Sequence, residues 1–236
     1  KSEPEKDMPF GKGCGLCLNK ALDICKYFGM ETKNIDGYIG YAQIGEGEEM
    51  IGILTHLDVV PVGDDWDYDP FKLTIEDDKI YGRGILDDKG PAAIFIHILK
   101  EILDSNLKLN KRIRLIFGLD EESGWQCMDR YIKTEEVPTY GFTPDADFPI
   151  INGEKGILAL RIKANQKGSF IQSLTGGNAL NTVPSSAEVT LSDGTQLKAQ
   201  GVAAHGSMPW LGENAIANLI EELNEYTINN NLEIDN

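Results

Sequence analysis

Residues 51–63 read IGILTHLDVVPVG. The apolar run has the length and β-branched composition of a buried strand, and it is closed by a proline–glycine stretch. It ends on His56, one of three histidines in the chain, and Asp58 follows two residues later. A histidine in this setting has two readings: a hydrogen-bonded core side chain, or a group that holds something. The choice depends on what the fold brings to the end of this strand.

Around it, helix and strand patterns alternate. Residues 17–29 have helical spacing and stop on a glycine suited to a C-cap. The turn Asp36-Gly37 precedes a strand at 38–44, which a Gly/Glu turn joins to the strand at 50–57. An acidic loop, PVGDDWDYDPF, leads to a short strand pair at 71–75 and 79–81. GRGILDDKG is a glycine-rich loop, and PAAIFIHILKEIL starts a helix with proline at its first position. That helix is apolar on almost every side, so it is expected to be buried against a sheet. His97 shares its one polar stripe with Glu101 and Asp104 and is expected to face solvent. A strand at 112–117, a helix around 124–133 and a short strand near 140–142 complete an α/β sandwich with a parallel or mixed sheet.

From about residue 156 the texture changes. GILALRIKA, NTVPSSAEVTL and QLKAQGVAA are expected strands, and GENAIANLIEELNEY is an amphipathic helix with Ile216, Leu219, Ile220 and Leu223 on one face. The boundaries expected are therefore 1–155 for the first domain and 156–236 for a smaller α+β domain. Both ends of the chain read as unfinished, which suggests a piece of a longer protein.

Composition narrows the function. Among 236 residues, 38 acids against 22 basic side chains give a formal charge of −16. Such a chain repels phosphate backbones and anionic membranes, so neither nucleic acid nor a membrane is an expected partner. No apolar run approaches the roughly 18 residues of a membrane-spanning helix. Cys14, Cys17, Cys25 and Cys127 are too few for a disulfide scaffold, and Cys14-x-x-Cys17 has no second pair at zinc-ribbon spacing. Reduced thiols point to a cytoplasmic setting.

Three strand ends carry the same chemistry. His56 and Asp58 close one, Glu121 and Glu122 follow another, and Asp145 follows a third; Asp87 can reach the same edge from the glycine-rich loop. Ligands of open α/β sheets bind outside these carboxyl ends. Clustered carboxylates repel one another unless a cation is present. One imidazole with several carboxylates suits zinc, manganese or cobalt rather than calcium. Asp58 points to the same side of the strand as His56 and could accept the other ring N–H. Spacing alone leaves the core-histidine reading open.

H56-L-D58, G82-R-G-I-L-D87-D-K-G90, D120-E121-E122 and P144-D145-A-D147, in this order, resemble the zinc-dependent peptidases of the aminoacylase/carboxypeptidase G type. DDKGP, DEESGWQCMDRY and PDADFPIINGEKG are similar to the dipeptidase V (Xaa-His dipeptidase) branch, and G176-G-N-A-L-N181-T-V-P184 and A203-A-H205-G206 extend the likeness through nearly the whole chain. The resemblance implies an α/β/α metallopeptidase catalytic domain with an α+β lid, acting on small peptides through two divalent ions, zinc first, manganese or cobalt as alternatives. It implies that Asp87 bridges the ions, that His56 and Asp145 complete the ligands of one, and that Glu122 binds the other. Glu121 would be the general base toward a bridging water, and Asp58 would support His56 from behind. His205, in the lid, would steady the oxyanion or hold the substrate carboxylate, and Asn181 would touch substrate, although its place before Val183-Pro184 also suits a simple turn residue.

Two departures qualify the likeness. The family uses a further histidine late in the chain for the ion that Glu122 binds, and this sequence offers no candidate. Its lid is also longer than the stretch 185–202 here. The resemblance thus implies that this chain alone lacks a ligand and could be inactive. Alternatives are an N-acyl amino acid deacylase or desuccinylase using the same site, and a non-catalytic metal-binding homologue, against which Glu121 speaks.

Overall fold

The computed structural model describes residues 4–5, 7–62, 66–146, 149–163 and 170–230. They divide into two compact units, Lys1–Ile151 and Asn152–Asn236.

The first unit runs α1 (Lys12–Tyr27), β1 (Glu31–Ile35), β2 (Ile39–Ile44), β3 (Met50–His56), β4 (Thr74–Glu76), β5 (Lys79–Tyr81), α2 (Gly90–Asp104), β6 (Arg112–Gly118), α3 (Gln126–Thr134) and β7 (Tyr140–Phe142). Five strands form one mixed sheet in the order β1-β2-β6-β3-β7; β1, β2 and β6 are antiparallel neighbours, and β3 runs parallel to both β6 and β7. Its core packs Leu18, Leu22 and Cys25 of α1 and Ile96 and Leu99 of α2 with Ile39, Ile53, Leu115 and Phe117 of the sheet. The helix α1 stops where Gly29 takes φ +90°, a conformation that glycine adopts without steric cost. Its buried stripe includes Ala21 and Cys25, while Cys14 and Cys17 are half-buried; none of the four cysteines is in a disulfide.

The central pair of strands positions the site. β3 and β6 are in parallel register with His56 opposite Gly118, and the Leu57 N–H donates to the Gly118 carbonyl at 2.9 Å. The two strands therefore end in step, so the residues just beyond each emerge side by side.

The second unit holds β8 (Ile171–Gly176), β9 (Thr182–Val183), β10 (Ser186–Leu191), β11 (Gln196–Gln200), β12 (Ala204–His205) and α4 (Ala215–Asn229). An antiparallel sheet β11-β10-β8 is covered by α4, whose Ala215, Leu219 and Leu223 pack on Ala187, Val189, Leu191 and Ala199. Asn214 caps α4, its side-chain oxygen accepting from the Ile216 and Ala217 N–H groups. Among the described residues no helix is long and apolar enough to cross a membrane.

Several expectations are corrected. Residues 156–163 form no strand: Ile157 and Leu158 are exposed and find no ladder partner among the described residues, and a strand needs one to satisfy its backbone. Residue 164 lies outside the described residues. Pro184, which has no N–H, separates β9 from β10 where one strand was expected. Ile220 is exposed, because the buried stripe of α4 runs through Ala215, Leu219, Leu223 and Thr227. The helix α2 buries only Ala92, Ile96 and Leu99; Ile94 and Ile98 are exposed, since the sheet covers a single side of it. His97 is exposed as expected, with its ring 5.4 Å from that of Phe28.

Candidate metal centre

The end of β3 delivers His56 into a buried position, 2 % exposed. The Nε2 atom lies 2.8 Å from Asp87 Oδ1, 3.5 Å from Asp145 Oδ2 and 4.0 Å from Glu121 Oε2. Its Nδ1 lies 3.2 Å from the Asp58 carbonyl oxygen and 3.4 Å from Asp58 Oδ1. One ring edge is thus held by Asp58 while the other faces three carboxylates. This arrangement orients the ring, with Nε2 toward the carboxylates.

Asp58, itself buried, does more than hold the ring. Its Oδ1 accepts the Glu121 N–H and its Oδ2 accepts the Glu122 N–H, each at 3.2 Å. One carboxylate therefore fastens the loop after β6 to the end of β3, an option created by the in-step ending of the two strands. The loop is shaped by the buried Asp120: its carbonyl accepts from the Gly124 and Trp125 N–H groups, and its carboxylate accepts from Ser123 Oγ and from the Gln126 N–H at the start of α3.

Asp87 arrives on a π-type turn, Ile85–Lys89, that opens α2. Two glycines bracket it. Gly84 sits at φ +81°, and a Cβ at Gly90 would lie 2.1 Å from the Ile85 carbonyl oxygen, so no larger residue fits there without a shift. Asp87 departs from helical dihedrals within the turn (φ −125°, ψ 98°). The side chains of two consecutive aspartates consequently part: Asp87 is 59 % exposed, whereas Asp88 is fully buried and its Oδ2 accepts the His56 N–H at 3.0 Å.

The electrostatics carry the mark of crowded acids. Burial raises the carboxyl of Glu121 to about 7, with Asp145 and Glu122 adding to the rise against the lowering effect of His56. Burial likewise raises Asp88 to about 6, and pushes Glu122 and Asp145 upward. For His56, burial alone would lower the value, but the Asp58 hydrogen bond and the charges of Asp145, Asp58 and Glu121 outweigh it and bring it to about 9. Asp58 is pulled below the usual carboxylate range: its burial works against this, but the His56 and backbone hydrogen bonds prevail. The imidazolium sets a positive charge against these acids.

The residues present fit a cation. His56, Asp87 and Glu122 offer ligand atoms within 4.8 Å of one another, and so do His56, Asp88 and Asp145. Asp88 Oδ1 is buried without a hydrogen-bond partner among the described residues. One nitrogen among carboxylate oxygens is a donor set for a divalent transition ion.

Of the residues singled out in the sequence, the structure gathers His56, Asp58, Asp87, Glu121, Glu122 and Asp145 at one end of the sheet. Asn181 and His205 belong to the second unit, where they meet across β9 and β12: His205 pairs with Thr182, and the Asn181 carbonyl accepts the Gly206 N–H at 2.6 Å. Both are exposed, and His205 Nδ1 lies 2.7 Å from Ser207 Oγ. Sequence reasoning passed over Asp88. The doubled aspartate in DDKG was the available signal, but only the backbone of the turn tells the two apart.

Known proteins share much of this sequence. The family model described as Peptidase family M20/M25/M40 matches residues 52–233. The Bacillus subtilis protein named "Putative dipeptidase YtjP" is 47 % identical over 189 residues, covering 78 % of this chain and 41 % of that protein. The Staphylococcus aureus protein named "Putative dipeptidase SAB1611c" is 36 % identical over 266 residues, covering 98 % of this chain and 57 % of that protein. The chain thus spans about half the length of these curated relatives. Among solved structures, human carnosine dipeptidase 1 aligns with a TM-score of 0.48 and 24 % identity, over 57 % of this chain and 33 % of that one.

Proposed function

The chain belongs to peptidase family M20/M25/M40, and from that premise we propose that the protein containing it is a dipeptidase that hydrolyses the amide bond of small peptides with two divalent ions, zinc by preference and manganese or cobalt as substitutes. The names of its relatives support the dipeptide as substrate. The observation that carries the proposal is the setting of His56: Nε2 faces Asp87, Asp145 and Glu121, while Asp58 holds Nδ1 and both glutamate amides.

In this reading His56, Asp87, Asp145 and Glu122 would hold the ions, and Asp87, the most exposed of them, would serve both. The chemistry that such ions supply is polarisation of the scissile carbonyl and a lowered pKa for attacking water. Glu121 takes the proton from that water and passes it to the leaving amine. Its carboxylate lies 4.0 Å from His56 Nε2, beside the place the ions would occupy, where a carboxylate can both accept and return a proton. Glu121 and Glu122 divide base from ligand because consecutive side chains diverge, while Asp58 anchors both backbones. On the second unit, His205 and Asn181 serve the substrate, the imidazole steadying the oxyanion or the carboxylate end and the amide hydrogen-bonding to the peptide. Four cysteines with no disulfide among them fit a reducing, cytoplasmic setting.

Glu121→Ala tests the assignment of the base. Dipeptide turnover in the purified protein is expected to fall by about 10²–10⁴-fold while bound metal stays near the wild-type amount. Unchanged turnover would overturn the role. Assaying dipeptides beside N-acyl amino acids separates peptidase from deacylase action.

A further inference from the structure

We propose that Asp88 is a positioning residue of the metal centre: its buried carboxylate clamps the His56 backbone to the turn that presents Asp87 and supplies the negative charge that makes the pocket favour a divalent cation. The proposal rests on the metal-centre reading and extends it to a residue that the sequence motif does not distinguish from its neighbour.

Three observations carry it. Asp88 Oδ2 accepts the His56 N–H at 3.0 Å, so one side chain joins the end of β3 to the turn Ile85–Lys89, two segments that each bring a ligand. The residue is fully buried, and Oδ1 has no hydrogen-bond partner among the described residues. A carboxylate removed from water and only half satisfied is costly to keep unless a positive charge lies close by. That charge has an evident place, because a carboxylate oxygen of Asp88 lies within 4.8 Å of ligand atoms of both His56 and Asp145. The buried, half-satisfied carboxylate therefore makes sense as a group satisfied electrostatically when an ion is bound. Partners of this kind behind metal ligands contribute to affinity and geometry without being ligands themselves.

Asp88→Asn separates the charge from the clamp. The amide is isosteric and keeps an oxygen to accept the His56 N–H, but it carries no charge. Binding of Co²⁺ and Zn²⁺ to the purified protein, measured by calorimetry, is expected to weaken by about 10–100-fold, with a shift in the visible absorption of the bound Co²⁺. The ion-free variant should melt at or above the wild-type temperature, since the amide keeps the clamp while a desolvated carboxylate has gone. Asp88→Ala, which also loses the clamp, should melt lower. If Asp88→Asn does not yield folded protein, Asp88→Ser, smaller and free of overpacking, carries the same affinity measurement. A folded variant that binds within twofold of wild type with an unchanged Co²⁺ spectrum overturns the role of Asp88 and leaves the centre standing. A wild-type protein that binds neither ion overturns the centre itself.

Discussion

At the scale of single residues, Asp58 ties the end of β3 to the loop after β6. It faces the His56 ring and accepts two backbone N–H groups from the loop after β6. Asp58→Ala leaves all three without that partner in a buried place. The expected cost is about 1–3 kcal/mol of stability for groups left unsatisfied and roughly 10–100-fold in metal affinity, to be read by denaturant unfolding and by metal titration. A variant that binds ions as tightly as wild type would show that the ring needs no support. The His56 proton gives a second test. Its value of about 9 without an ion means that the imidazole is protonated at neutral pH, and a protonated Nε2 cannot bind a metal. Ion binding must displace that proton, so affinity should strengthen as pH rises from about 6 towards 9, and calorimetry in buffers of different ionisation enthalpy should register proton release. An affinity independent of pH across that range contradicts it. Asp58 could be foreseen from its spacing to His56, whereas the opposite fates of Asp87 and Asp88 could not, because identical neighbours are separated only by the dihedrals of the turn.

At the scale of elements, the turn Ile85–Lys89 is the most constrained device in the site. Gly90→Ala introduces a Cβ 2.1 Å from the Ile85 carbonyl and should destabilise the protein by about 1–3 kcal/mol while weakening ion binding, because the same turn carries Asp87. A variant with native unfolding and native metal affinity would mean that the turn yields without consequence. On α2 the two sides should respond differently. Leu99→Ala, at a fully buried position, should cost about 2–5 kcal/mol. Ile94→Gln, at an exposed one, should stay within about 0.5 kcal/mol. Equal losses would indicate that the exposed side is covered in solution.

Periodicity made these elements largely readable in advance. The strands at 39–44, 50–56 and 112–118 and the helices α1, α2 and α3 all announce themselves by apolar spacing. β1 did not, because ETKNI is polar and buries only Ile35. β8 did not, because its middle four residues are exposed. GILALRIKA failed in the opposite sense: its composition is that of a strand, but composition carries no information about whether a pairing partner exists.

At the scale of the whole molecule, the chemistry-bearing residues fall into a partly buried acidic cluster in Lys1–Ile151 and an exposed Asn181/His205 pair in Asn152–Asn236. Zinc binding should therefore protect the first unit selectively. Hydrogen exchange is expected to slow at the end of β3, through Ile85–Lys89 and in the loop after β6, with α4 unchanged; protection spread evenly over both units would contradict a centre confined to the first. The strand-end logic that located this cluster was legible because α/β sheets put ligands at carboxyl ends. How β3 and β6 come to finish in step was not, since register is decided by pairing across the sheet rather than by either strand alone.

The most direct measurement is the metal content of the purified, active protein set against its dipeptidase activity before and after chelation. About two divalent ions per molecule are expected, with loss of hydrolysis when a chelator removes them and recovery when zinc, manganese or cobalt is restored. Full hydrolysis by metal-free protein in the presence of chelator would contradict a metal-dependent dipeptidase.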